Sequence, residues 1–129
     1  MNTLTALTNT VIRGLKAARK TITRRLAPQI VAHRNGPGIT NAITAGDLVT
    51  ITTHLENLGV DTEFAAKYAS ALGRKVAPAY RARTGREPLL IWKVNTSGYP
   101  IQVRAYSPTC PALTEGVATY KRTTHLVAA

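Results

Sequence analysis

Leu89-Leu-Ile-Trp-Lys-Val-Asn-Thr-Ser-Gly-Tyr-Pro-Ile-Gln-Val-Arg-Ala-Tyr106 is the stretch that separates an α+β reading from an all-helical one. Two runs rich in β-branched and aromatic residues, 89–94 and 101–106, flank Asn95-Thr-Ser-Gly98, a turn composition, and this predicts a β-hairpin over 89–106. In the second run Ile101, Val103 and Ala105 alternate with Gln102, Arg104 and Tyr106. One face is therefore expected to be buried and the other, Tyr106 included, to meet solvent or a ligand. Ser107-Pro108 ends the strand.

Outward from the hairpin the apolar period changes from two to about 3.6. Upstream, Ala65, Tyr68, Leu72, Val76 and Tyr80 form one helical stripe that Asp61 can cap, while Lys67, Arg74 and Arg81 recur on the opposite side. Pro78 is expected to kink or divide that helix. Thr44-Ala-Gly-Asp47 has the spacing of a capping box, which predicts a helix carrying Leu48, Ile51, Leu55 and Leu58 and ending at Gly59. Downstream, Pro111 suits the first turn of a last helix with Leu113, Val117 and Tyr120 on one face, and Lys121 and Arg122 near its C-terminal end. The tail Thr123–Ala129 is expected to fray.

At the N-terminus Leu4, Leu7, Val11, Leu15, Ala18, Ile22 and Leu26 step by three or four, which predicts one amphipathic helix over 4–26 that Pro28 closes. Asn35-Gly-Pro-Gly38 reads as a linker. The expected organisation is a basic amphipathic helix or arm over 1–34, then an α+β domain over 44–123 made of helices, one hairpin and a C-terminal helix.

Charge supplies the functional signal. The 129 residues carry 17 Lys and Arg against six Asp and Glu, a formal net charge of +11. The first forty-six residues hold seven of those cations (Arg13, Lys16, Arg19, Lys20, Arg24, Arg25 and Arg34) and no acid. An uncompensated positive face collects polyanions, and nucleic acid is the default one. On the helical projection Arg13, Lys16, Arg19, Lys20 and Arg24 lie opposite the apolar stripe, with Arg25 near it. Trp92, Tyr99 and Tyr106 beside Lys93 and Arg104 could form a stacking platform for bases, although boundary packing is the commoner use of such residues.

Catalytic chemistry has little to stand on. His33, His54 and His125 lack metal-pair spacing, the single Cys110 has no local base, and Asp47, Asp61 and Glu63 read as helix-start residues. Gly36-Pro-Gly38 is neither a phosphate loop nor a dinucleotide fingerprint. No enzyme and no cofactor is expected, and no stretch approaches the roughly 20 apolar residues of a membrane span.

Gly73-Arg-Lys-Val-Ala-Pro-Ala-Tyr-Arg-Ala-Arg-Thr-Gly-Arg-Glu-Pro88, with the hairpin ending Val103-Arg-Ala-Tyr106-Ser-Pro108, resembles the C-terminal segment of some phage antirepressor-type regulatory proteins. The resemblance covers about a third of the chain. It implies a regulatory protein of phage or mobile-element origin that acts through DNA or a DNA-bound partner, in the host cytoplasm. Pro78 and the Ser before Pro108 depart from the pattern.

The combined expectation is a non-enzymatic nucleic-acid-binding protein, with DNA preferred over RNA, contacting phosphates through Arg13, Lys16, Arg19, Lys20, Arg24, Lys67, Arg74, Lys75 and Arg81. The alternative is a protein-interaction or virion-structural protein whose helix 4–26 docks on a partner or on its own copy, making a homo-oligomer.

Overall fold

The computed structural model describes the backbone of residues 3–127 and the side chains of residues 13–127. Helix α1 (Thr3–Ala45) leads to a short strand β1 (Val49–Thr50), helices α2 (Ile51–Asn57) and α3 (Thr62–Thr84), strands β2 (Leu89–Val94) and β3 (Pro100–Tyr106), and helix α4 (Pro111–Thr119). The fold is α+β. The hairpin forms as the alternation predicts, with Leu89 opposite Ala105 and Val94 opposite Pro100. Asn95 Oδ1 accepts from the backbone N–H of Ser97 and of Tyr99 and so fixes the turn. The two residues of β1 add a third strand, giving the order β1-β3-β2 and leaving β2 on an edge.

Helix α3 follows from its capping chemistry. Asp61 Oδ1 accepts from the Phe64 N–H at 2.7 Å, and Gly85 takes the left-handed conformation (φ 69°) that closes the C-terminal end. Its apolar stripe builds the core: Ala65, Leu72 and Val76 are fully buried against Leu55 of α2 and Leu113 and Val117 of α4. At Gly116 helices α4 and α3 approach so closely that an added Cβ would overlap Val76 Cγ2 and lie 3.3 Å from Val76 Cα. The absent side chain is a packing requirement.

Several expectations are corrected. Pro28 does not close the first helix; the break comes inside the expected Asn35-Gly-Pro-Gly38 segment, as a kink and not an open loop, where Gly36 leaves helical geometry at φ 78°, ψ 168° before helical backbone resumes to Ala45. Packing overrides the local breaker here, because Arg24 and Asn35, either side of Pro28, are held against the hairpin. Thr44 and Asp47 do not start a helix. Gly46 (φ 81°) ends α1, with Asp47 N–H donating to the Ala42 carbonyl and Gly46 N–H to that of Ile43, the paired bonds of a Schellman ending. Helix α2 starts later, capped by Thr50, whose hydroxyl accepts from the Thr53 N–H. Helix α3 runs through Pro78 undivided; the ring is exposed, so water can serve the carbonyl left without a donor.

At the C-terminal end Lys121 and Arg122 follow the α4 cap Tyr120 directly, near the end of the helix as expected. Thr123 does not fray: it is fully buried, its hydroxyl donates to the Val117 carbonyl at 2.8 Å, and a 3-10 turn follows at Thr124–Leu126. Ala128 and Ala129 lie outside the described residues, as do the side chains of Leu4, Leu7 and Val11.

Candidate nucleic-acid interface

From Arg13 to Ile22 every residue of α1 is exposed, the apolar ones included. Among the described residues, the helix meets the rest of the fold from its middle onward, along β2 and, less, β3. Ala27 is sealed there. Asn35 then treats the edge strand as a neighbouring strand would: its Nδ2 donates to the Trp92 carbonyl at 2.9 Å and its Oδ1 accepts from the Trp92 N–H at 2.7 Å. Two arginines complete the seat. The Arg34 guanidinium lies 4.3 Å from the Trp92 ring centroid and that of Arg24 lies 4.8 Å from the Tyr99 centroid, each a cation–π contact.

This seating decides which way α1 faces. At about 100° per residue, Arg24, Ala27, Val31, Arg34 and Asn35 form one side, and that side meets the hairpin. The stripe of Leu15, Ala18, Ile22 and Leu26 points the other way, and Leu15 and Ile22 keep 66% and 57% of their surface. An amphipathic helix is thus docked by its polar side.

The expected binding residues divide into three groups. Arg13, Lys16, Arg19 and Lys20 are exposed and, among the described residues, make no ion pair. Arg24 is exposed but stacked on Tyr99, and its aliphatic portion packs over Gly98. On α3, Arg74 and Lys75 are exposed and Lys67 Nζ sits 5.4 Å from the Tyr68 ring, whereas Arg81 is engaged by both carboxylate oxygens of Glu87 at 2.9 Å. Helix α3 packs on α2 and α4, whereas α1 packs on the hairpin.

The aromatic platform is not assembled. Tyr106 lies in the core at 2% exposure, edge-on to Tyr80 with centroids 5.5 Å apart, and Trp92 and Tyr99 already carry arginines. The Tyr106 hydroxyl is buried without a protein partner, and loss of hydration pushes its pKa above the ordinary 10.0. Alternation misassigned Tyr106 because its ring joins the core cluster built by α2, α3 and α4, edge-on to Tyr80.

Two contributors escaped the sequence reading. Arg34 was counted among the cations but not given a contact, and Arg122 lies 5.8 Å from the Tyr68 ring that Lys67 also approaches. Neither has a local signal, since the rings they meet are remote in sequence. Among the described residues no group of His, Cys, Asp or Glu is placed to hold a metal ion, and no helix is long and apolar enough to cross a membrane. Comparison with protein-family models, curated proteins and solved structures finds no match.

Proposed function

We propose that the protein binds nucleic acid without catalysis, DNA in preference to RNA, by presenting the exposed half of α1 to the phosphate backbone. The observation that carries the reading is the run Arg13, Lys16, Arg19 and Lys20, exposed and without ion pairs, in a segment whose first forty-six residues include no acid. Nothing within the helix neutralises these cations, so an arriving polyanion finds charge that needs no rearrangement to be used. Lys67, Arg74 and Lys75 add a second, separate patch; Arg81 contributes less because Glu87 answers it. A regulatory role in a phage or mobile element, which the resemblance of residues 73–108 implies, belongs to this proposal.

Binding through phosphates makes affinity fall linearly with salt in log-log form, with a slope of roughly 0.9 per contact on duplex DNA. Replacing Arg13, Lys16, Arg19 and Lys20 together by Gln is expected to reduce the slope by about 3.6 on random-sequence duplex while far-UV circular dichroism stays unchanged. No binding at low salt overturns the reading, and an unchanged slope removes α1 from it.

A further inference from the structure

The outward side of α1 combines three features that together specify an occupant. Leu15, Ile22 and Leu26 are exposed large apolar residues in one line. Immediately beyond them is a recess of about 360 Å³ lined by Leu26, Gln29, Ile30, His33 and Arg34. The first four of these stand at i, i+3, i+4 and i+7, the diamond that receives a single knob side chain from a facing helix.

The spacing is self-complementary. Leu15 lies about two helical turns before Ile22, and the recess is centred about two turns after it. If a second α1 runs antiparallel with Ile22 facing Ile22 on a two-fold axis, each Leu15 falls over the recess of the other copy, and Ala18 between them lets the backbones come close. We propose that two copies of the chain pair in this way, α1 against α1, through residues 15–33.

Charge permits it. Arg13, Lys16, Lys20 and Arg24 are turned from the stripe toward the hairpin side, so pairing leaves them outside. Only Arg19 and Arg25 flank the contact. The antiparallel register staggers each from its own copy by about six residues, roughly 9 Å, close to the screening length in physiological salt. The hairpin and the helical core attach to the opposite side of α1 and leave the stripe clear. A bilayer is the weaker match, since the described stripe offers no Trp or Phe and the i, i+3, i+4, i+7 diamond is the seat that a facing helix uses.

Light scattering and sedimentation velocity on the full chain test the pairing. A dimer in exchange with monomer is expected, and Leu15→Gln or Ile22→Gln should raise its dissociation constant by roughly tenfold or more, since each loss is felt twice across the axis. Both side chains are exposed in the single chain, so the variants should keep their circular dichroism. A wild-type chain that stays monomeric overturns the proposal, as does a dimer indifferent to both substitutions. In a Cys110→Ser background, Ile22→Cys should oxidise to a covalent dimer and Leu15→Cys should not. Equal cross-linking at both positions would mean parallel pairing and overturns the register. Binding of a monomer to phosphatidylglycerol vesicles, lost with Ile22→Gln, would give the stripe to lipid instead.

Discussion

Helices α1 and α3 are both long, both amphipathic and both basic on one side, yet the fold uses them in opposite ways. Helix α3 sinks its apolar stripe into α2 and α4 and offers its cations to water. Helix α1 rests on the hairpin through the Asn35 amide and the Arg24 and Arg34 guanidinium groups, and offers Leu15, Ile22 and Leu26 to water. Periodicity identifies which side of a helix is apolar. Only the availability of a matching surface determines whether the chain itself covers that side, and the hairpin edge matches polar groups.

The largest expected effect separates the two helices by truncation. Leu72→Ala in α3 should lower the free energy of urea unfolding by about 2–5 kcal/mol, whereas Ile22→Ala in α1, measured in dilute solution, should change it by no more than about 0.5 kcal/mol. Similar losses at both positions would erase the contrast. A smaller effect concerns how α1 is held. Asn35→Ala removes both partners of the Trp92 peptide groups and should cost about 1–3 kcal/mol, with faster amide exchange at Trp92 as its local signature. Unchanged exchange there would shift the role of holding α1 to the arginine stacks.

The smallest effect sharpens the comparison from the other side. Burial of His54 in α2 lowers its pKa below the ordinary 6.5. As pH falls, the unfolded chain therefore takes up this proton first, so stability is at its full value above about pH 6.5 and declines below it. Urea midpoints across that range should show the decline in the native sequence and a flatter profile in His54→Gln. A decline that survives the substitution would place the proton uptake elsewhere.

The legible parts of this fold are those governed by neighbours in sequence. Asp61 caps α3, Gly85 ends it, Asn95 shapes the turn, and Pro111 sits in the first turn of α4, because each acts on backbone groups within a few residues. The illegible parts depend on surfaces that meet from far apart. Pro28 and Pro78 signal breaks, but a helix tolerates an exposed proline when packing on either side holds it. Gly46 fits two motifs at once, the interior of a capping box and the residue after a helix, and tertiary structure chose the second. For the candidate interface, the absence of acids was visible directly, as was the placing of Arg13, Lys16, Arg19 and Lys20 opposite the apolar stripe. The engagement of Arg24, Arg34 and Arg81 was not, since Tyr99 and Trp92 reach α1 only through the hairpin, and Glu87 reaches Arg81 only because α3 ends at Gly85.

The two bonds from Asn35 have a consequence for solubility. An edge strand with free peptide groups is a template for any extended segment that passes by. Here one carboxamide stands in for the missing neighbour at the middle of β2, where a foreign strand would need to begin its ladder. Any event that lifts α1 from its seat therefore also uncovers an adhesive margin. A chain that used α1 as a freely swinging arm would risk sheet-to-sheet aggregation.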